Sequence, residues 1–375
     1  MNFKKFLIIF LCFLAVCAAA FFNYGRFASR AVEYSQMVNS VQAPQEFRGV
    51  YLTGWSAGLK SRIDYAIDLS KTAGVNAVVI DVKDYSGYVS YKTNNPDVMK
   101  YNASQNMIKD MPGTIKKLHQ AGIYAIARIT CFQDPILAQA RPDLAIRRKS
   151  DGSIWLDNKG LAWIDPSKQE GWDYILSIAK DALNQGFDEV NFDYIRFPSD
   201  GNLKDMSLDN ISSESDVIES FFRYTREQLP YSKISADLFG LATVRADDMG
   251  IGQLIESAYK YFDYVCPMAY PSHYGDGFNG YANPADYPYE VVFYSMDKAE
   301  ERLNNFKKDH DDLDANVKLR PWLQDFDMGA TYDTEKVLLQ MKATKDSLGK
   351  DYSGYFLWNP SNVYNKEAIK LSQNF

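Results

Sequence analysis

The stretch 187–198 reads Phe-Asp-Glu-Val-Asn-Phe-Asp-Tyr-Ile-Arg-Phe-Pro and has the composition of a short buried strand. Val190, Phe192 and Tyr194 are side chains that strands favour, and Pro198 has no N–H with which to continue a hydrogen-bonded ladder. The stretch therefore predicts a strand that ends in polar and charged groups.

Asn191 and Asp193 lie two residues apart, so both side chains point to the same side of the predicted strand. An aspartate on an apolar strand is costly to bury unless it is paired or used. Arg196 is the nearest possible partner in the sequence. Two interpretations stay open: a structural Asp193–Arg196 ion pair at the strand end, or a catalytic carboxylate.

The same pattern, an apolar run followed by a helical period, recurs along the chain after Phe47. The predicted strands are 48–54, 75–84, 123–132, 187–198, 233–242, 264–271, 317–326 and 354–360. The predicted helices are 61–73, 112–121, 167–185, 214–229, 251–262, 289–307 and 334–348, with a short one closing the chain. Eight strands that alternate with helices predict an α/β fold, a (β/α)₈ TIM barrel. A doubly wound sheet is the alternative, but no Gly-x-Gly-x-x-Gly or P-loop motif follows a strand, so nucleotide cofactors lack support.

Residues 1–22 have the features of an export signal or a membrane anchor. Lys4 and Lys5 precede the apolar run 6–22, as a basic n-region precedes an apolar h-region. The run is slightly long for a signal peptide and slightly short for a membrane span, so cleavage and membrane attachment through 6–22 both stay open.

Residues 23–46 are polar and mixed, which predicts a linker, and residues 47–375 form the predicted barrel domain. Either N-terminal alternative places this domain outside the cytoplasm, secreted or attached to the outer face of the cytoplasmic membrane.

The composition excludes several classes of partner. Of 375 residues, 46% are hydrophobic, enough for one large core. A net charge of −7 argues against binding of nucleic acid. The three histidines and four cysteines lack the spacing of a zinc site, so we expect no metal and no other cofactor. The 26 tyrosines suit sugar stacking as well as an ordinary core.

Active sites of such barrels lie at the C-terminal ends of the strands. The predicted strand ends carry carboxylates, arginines and aromatic side chains: Asp81, Arg128, Asp193, Arg196, Asp237, Tyr270 with His273 after it, Trp322, Gln324 and Trp358. Cleavage of a glycosidic bond requires two carboxyl groups, one of them an acid. We therefore predict Asp193 as the nucleophile and Asp237 as the general acid/base, and the other residues of this set as substrate-binding.

Structural roles compete with several of these assignments. Asp81 and Lys83 lie two apart on one strand and could simply pair. Gln324 and Asp325 have opposite parity, so a regular strand directs only one of them into the barrel. Trp322 and Trp358 fit a core as well as a sugar platform.

The segment 133–166 is long for a connection in a compact domain. A binding loop or lid is one interpretation, and a surface hairpin around Ser150-Asp151-Gly152-Ser153 is the other.

Several motifs in order give the chain a resemblance to a bacterial family of glycosyl-hydrolase-like domains, which are exported TIM barrels. The matching pieces are RGVYLT at 48–53, NAVVIDVKD at 76–84, WIDP at 163–166, FDYIRFP at 192–198, SADLFG at 235–240, PMAYPSHY at 267–274 and RPWLQDF at 320–326. This resemblance implies a glycosidase-like fold over nearly everything after residue 47.

The chain departs from the family 18 chitinases, which carry Asp-x-x-Asp-x-Asp-x-Glu at the end of strand four. Aligned on Asp193, the corresponding positions are Asp188, Asn191, Asp193 and Ile195. Ile195 stands where those enzymes have the acid, so their substrate-assisted mechanism is not supported. The arrangement is more similar to barrels related to the α-amylases, which combine an Asp at strand four with an acid from a later strand.

We expect a glycoside hydrolase that acts on an extracellular or cell-envelope polysaccharide or oligosaccharide. The alternative is a non-catalytic glycan-binding protein of the envelope, which a gap of more than about 10 Å between Asp193 and Asp237 would favour, because it exceeds both hydrolytic geometries. A hydrolase of another bond, such as an amide, lacks a Gly-x-Ser-x-Gly or metal motif.

Overall fold

The computed structural model describes residues 41–208, 211, 213–310 and 316–375. The predicted signal or anchor at 1–22 and most of the predicted linker lie outside these residues. Within them, no helix is both long and apolar enough to cross a membrane.

In this part of the chain, eight parallel strands close into a barrel, as the sequence predicts. The strands are β1 Phe47–Leu52, β2 Ala77–Lys83, β3 Tyr124–Thr130, β4 Glu189–Asp193, β5 Lys233–Phe239, β6 Tyr264–Met268, β7 in two segments (Lys318–Leu319 and Trp322–Gln324) and β8 Gly354–Trp358. Each strand pairs with its neighbours in chain order, and β8 pairs with β1 to close the ring. The C-terminal ends of all strands therefore meet at one rim.

Helices follow the strands and cover the outside of the barrel. They are α1 Lys60–Ala73, α2 Met111–Gln120, α3 Gln169–Gln185, α4 Glu214–Gln228, α5 Ile255–Tyr261, α6 Pro288–Asp309, α7 Thr334–Leu348 and α8 Lys366–Leu371, with short helices at Gly54–Ala57, Pro96–Lys100 and Pro135–Ala140. Their apolar faces and the outward side chains of the strands form the main core. A second, smaller cluster of aromatic and aliphatic side chains fills the barrel interior.

Several predicted elements are shorter in the structure, such as β4, which ends at Asp193 instead of residue 198, and two further differences have a clear backbone cause. Strand β7 is interrupted at Pro321, which has no N–H to donate to the sheet. Helix α5 begins at Ile255 instead of residue 251, because Gly250 and Gly252 have positive φ values of 63° and 80° that a helix does not accommodate.

The lower part of the barrel interior holds a buried ion pair. Glu189 and Arg320 contact each other at 2.5 Å, and both side chains are fully buried. The Arg320 guanidinium lies 4.0–4.2 Å from the ring centres of Phe47, Tyr264 and Phe356. This layer fills the barrel at its N-terminal end, and the open space lies at the opposite rim.

The segment 133–166 packs over one side of that rim. It contains the helix Pro135–Ala140 and the short strand Arg147–Arg148, which pairs antiparallel with Met206–Ser207. Gln133, Lys159 and Leu161 of this segment line the cavity at the rim. The segment is therefore part of the cavity wall and not a purely peripheral hairpin, and its role in binding stays a prediction.

Candidate active site

A cavity of about 600 Å³ opens at the C-terminal rim, within the size range of small-ligand sites. The predicted residues that line it are Asp81, Arg128, Asp193, Arg196, Asp237, Tyr270, His273, Trp322 and Trp358. The barrel thus brings together nine of the ten side chains that the sequence singled out; their catalytic and binding roles stay predictions.

Arg128 at the end of β3 lies at the centre of the charged groups. It donates from Nη2 and Nε to Asp193 Oδ2 at 2.5 and 3.1 Å, and from Nη1 to Asp81 Oδ1 at 2.5 Å. Burial by itself lowers the pKa of Arg128, but the carboxylates of Asp81 and Asp193 outweigh burial and raise it. Arg128 therefore stays charged and fixes the two carboxylates.

Of the two interpretations of Asp193, the ion pair with Arg196 is not found; Asp193 pairs with Arg128. Asp193 ends β4 opposite Thr130 of β3, and Arg128, two residues earlier on β3, reaches it with its side chain. Its Oδ1 accepts from the N–H of Tyr194 at 2.6 Å. Tyr194 has a φ of 52°, a left-handed conformation that costs a side chain of this type about 1–2 kcal/mol. This turn carries the chain away from the strand, so Arg196 points elsewhere.

Asp237 on β5 is the most buried of the four aspartates that line the cavity. Its side chain is 1% exposed, and Oδ1 accepts from Asn191 Nδ2 and Trp322 Nε1, both at 2.8 Å. Its Oδ2 lies 3.9 Å from Arg128 Nε. Burial and the neighbouring Asp193 charge raise the pKa of Asp237 well above its usual range. Burial and the Asp193 charge therefore both favour the protonated form of Asp237.

The separation of Asp193 and Asp237 follows from their shared neighbour. Their Oδ2 atoms lie 3.1 and 3.9 Å from Arg128 Nε, so they are no more than about 7 Å apart, the sum of those distances. Adjacent pairing of β4 with β5 explains this closeness, because Phe192 opposite Ala236 makes Asp193 and Asp237 the next pair. The gap is therefore well below 10 Å.

Asp81 does not pair with Lys83. The register of β2 against β3 shifts between these two residues, so a bulge directs them to different surroundings. Asp81 contacts Arg128 and accepts from the Tyr51 hydroxyl. Lys83 instead contacts Asp134 at 3.0 Å. Burial raises the pKa of Asp81 to about 6, although Arg128 lowers it.

Aromatic side chains form one wall of the cavity. Trp358 stacks on Tyr51 and contacts Tyr270, with ring centres 6.3 and 5.9 Å apart. The His273 ring lies against Tyr270, and burial lowers the pKa of His273. Trp358 is partly exposed and presents a flat face, whereas Trp322 is 1% exposed and belongs to the core while its indole N–H reaches Asp237.

Gln324 lies outside the cavity lining. It is buried, and its Oε1 accepts from the N–H of Ser272 while Nε2 donates to Phe326 O. The loop after β6 covers it, so it supports that loop instead of facing the cavity. Asp325 has the opposite parity and accepts from the Asn365 N–H on the outside of the barrel. This agrees with the prediction that only one of Gln324 and Asp325 points into the barrel.

Some lining residues escaped the sequence reasoning, notably Tyr51, Tyr194 and Phe239. Tyr51 was detectable, because it stands near the end of β1 in the RGVYLT motif. Asn191 shares its side of β4 with Asp193, and that parity was the sequence signal for its contact with Asp237. Gln133 and Lys159 come from the long segment, where no periodicity marks which side chains face inward.

Comparison with known proteins places the chain in a family. Residues 49–364 match the family model described as "Putative glycosyl hydrolase domain". The chain belongs to this family, as its motifs indicated. Among curated proteins, none is significantly similar to it.

Solved structures give the same architecture. A hypothetical protein from Ruminiclostridium thermocellum ATCC 27405 is 40% identical over 50% of this chain and 96% of its own, with a TM-score of 0.47. The PgaB (BpsB) glycoside hydrolase domain from Bordetella bronchiseptica is 16% identical over 87% and 98%, with a TM-score of 0.59. TtGalA, an α-galactosidase from Thermus thermophilus, is 12% identical over 90% and 67%, with a TM-score of 0.52. The last two show the shared barrel fold.

Proposed function

We propose that this protein is a glycoside hydrolase in which Asp193 is the nucleophile and Asp237 the general acid/base. The observation that carries the proposal is the pair of carboxyl groups on adjacent strand ends, no more than about 7 Å apart and facing one cavity. Family membership and the glycosidase fold of the structural neighbours support the reaction class.

The two carboxyl groups have the different environments that the reaction requires. Asp237, whose pKa burial raises, has its Oδ1 held by Asn191 and Trp322, so Oδ2 is free to give its proton to the glycosidic oxygen. Asp193 is oriented by hydrogen bonds from Arg128 and from the N–H of Tyr194, and it would attack the anomeric carbon. A water molecule would then release the sugar, with Asp237 acting as base.

The remaining cavity residues are proposed to bind the substrate. Trp358, which is partly exposed at the cavity, would stack on a sugar ring, and the buried Tyr270 packs beside it. Asp81 accepts hydrogen bonds from Tyr51 and Arg128. We propose that it also accepts hydrogen bonds from sugar hydroxyls and so orients the substrate.

A polysaccharide outside the cytoplasmic membrane is the proposed substrate. The basic residues Lys4 and Lys5 and the apolar run 6–22 support export, with cleavage or retention of that segment equally compatible with the proposal. Fractionation of expressing cells into membranes and culture medium would show whether the segment is retained or cleaved.

The test is hydrolysis of a polysaccharide panel, measured by release of reducing ends. Wild-type protein should hydrolyse at least one member, and Asp193→Asn should lower turnover at least about 1,000-fold. Asp325→Asn is the matched control, because Asp325 is as buried as Asp193 at 5% exposure but points out of the barrel. Equal losses in both variants, or full activity in Asp193→Asn, would contradict the assignment.

The non-catalytic alternative predicts a different result. A binding protein would retain one glycan of the panel in affinity electrophoresis and release no reducing ends from any of them. The separation of Asp193 and Asp237, below the gap of about 10 Å that would have favoured binding alone, supports hydrolysis.

A further inference from the structure

Arg196 is a second arginine of the cavity, and its surroundings differ from those of Arg128. Its side chain lines the cavity and is 7% exposed. The guanidinium carbon lies 4.9, 5.2 and 4.8 Å from the ring centres of Trp163, Tyr194 and Phe239. Nη1 donates to the carbonyl of Phe197 at 2.9 Å. Because this carbonyl accepts only one hydrogen bond from Arg196, most of the five N–H donors of the guanidinium remain for other partners.

Among the described residues, no carboxylate lies at ion-pair distance from Arg196, and the nearby aspartates are engaged elsewhere. Asp157 accepts from Gln133 and Trp163 side chains through Oδ2 and from backbone N–H groups through Oδ1. Asp193 is held by Arg128. Asp200 is exposed and accepts from the Asn158 N–H. The Arg196 charge is therefore not neutralised by the protein around it.

A buried guanidinium without an anionic partner is unfavourable unless something uses its charge. The three rings offset part of that cost through cation–π contacts, and they also hold the planar fork in one orientation. Such a fork matches the two oxygens of a carboxylate or of a sulfate ester. A purely structural arginine would leave the selectivity of the cavity for charged ligands unchanged.

We propose that Arg196 is a specificity-determining residue that binds an anionic substituent of the sugar, so that the substrate is an acidic polysaccharide rich in uronic acid or sulfated residues. This inference rests on the proposed function for the identity of the cavity as a saccharide site. Arg196 follows Asp193 by three residues and lines the same cavity. The anionic group would therefore belong to a sugar unit at or next to the cleaved bond.

Binding can be measured apart from cleavage in the Asp237→Asn background. An asparagine there removes the acid while keeping the side-chain shape and the oxygen that accepts from Asn191 and Trp322. In that background, titration calorimetry compares a uronic acid oligosaccharide, a sulfated oligosaccharide and a neutral oligosaccharide of the same length. The variants added are Arg196→Met, Arg196→Lys and the control Lys116→Met, which removes an exposed positive charge of α2 outside the cavity lining.

The expected result is at least tenfold tighter binding of one anionic ligand than of the neutral one. Arg196→Met should remove that preference, Arg196→Lys should keep part of it because the charge remains without the fork, and Lys116→Met should keep all of it. The uronic acid and sulfate arms identify the anion. Equal affinity for charged and neutral ligands, no binding of any of them, or an unchanged preference in Arg196→Met would overturn the inference. In each of these cases, hydrolysis of a neutral glycan by the wild type would still support the proposed function. The two proposals can therefore fail independently.

Discussion

Arg128 donates two hydrogen bonds to Asp193 across the boundary between β3 and β4, from Nη2 at 2.5 Å and from Nε at 3.1 Å. The same guanidinium contacts Asp81 at 2.5 Å. Arg128 therefore balances the charges of Asp81 and Asp193, while burial and the Asp193 charge favour the protonated form of Asp237. Several expected outcomes depend on that balance.

Replacing Arg128 with Met should impair both stability and activity. The carboxylates of Asp81 and Asp193 would remain buried without their partner, which costs about 3–5 kcal/mol of unfolding free energy. We expect kcat/KM to fall at least about 100-fold, because the nucleophile loses its orientation. Urea unfolding and hydrolysis assays measure the two effects. Arg245→Met, which removes an exposed pair with Asp247, should cost much less, and an equal cost would contradict this role of Arg128.

Replacing Trp322 with Phe should shift the pH dependence of hydrolysis. The indole N–H donates to Asp237 Oδ1 and lowers its pKa. Without that bond the pKa of Asp237 rises further, so the loss of activity on the alkaline side, where the acid is deprotonated, should move to higher pH. The pH profile of kcat/KM measures the shift. A profile that falls uniformly without moving would reduce Trp322 to a packing residue.

Asp325, which points out of the barrel, should make the free energy of unfolding depend on pH. Burial raises the pKa of Asp325 from 3.8 to about 6, so the folded state holds a proton that the unfolded state releases at lower pH. The contribution of Asp325 to stability is therefore fully present below pH 3.8 and is lost as the pH rises through about 6. A shift of this size corresponds to about 3 kcal/mol. Asp325→Asn should remove this part of the pH dependence, measured by urea unfolding at pH 4.5 and 7.5.

Asparagine at 325 retains an oxygen that can accept from the Asn365 N–H. The variant should therefore be more stable than the wild type at pH 7.5 and closer to it at pH 4.5. Parallel curves for the two proteins at both pH values would show that Asp325 does not carry the effect.

The Lys83–Asp134 pair should contribute more to stability than an exposed pair of the same chemistry. Their side chains are 0% and 1% exposed and 3.0 Å apart. Lys83→Met leaves the Asp134 charge buried and should cost about 3–5 kcal/mol. Lys60→Met, which breaks an exposed pair with Asp64 on α1, should cost less than about 1 kcal/mol. Similar losses in the two variants would contradict the difference in burial.

Hydrolysis should retain the configuration at the anomeric carbon. Retaining enzymes place their carboxyl groups about 5–5.5 Å apart, and inverting enzymes about 6.5–9.5 Å apart. The upper limit of about 7 Å for Asp193 and Asp237 leaves only the lowest part of the inverting range. Proton NMR of the first product formed would show the anomer. Release of the opposite anomer would mean that Asp193 activates water instead of attacking the sugar.

Periodicity was enough to predict the barrel, because the alternation of strands and helices depends on side chains a few residues apart. It also predicted the rim, since an aspartate such as Asp193 or Asp237 at the end of an apolar strand stands out against its neighbours. Two alternatives that the sequence left open were decided where backbone geometry departs from regularity. The bulge after Asp81 separated it from Lys83, and the left-handed Tyr194 turned Arg196 away from Asp193.

By itself, then, the sequence determined which strands form, in which order they follow, and which charged and aromatic side chains stand at their ends. Only the tertiary structure decided how those charges pair. Arg128 and Asp193 are 65 residues apart, and their contact depends on the register between two strands, which no local pattern encodes. The same holds for the raised pKa of Asp237, since its burial and its closeness to Asp193 exist only once the barrel has closed.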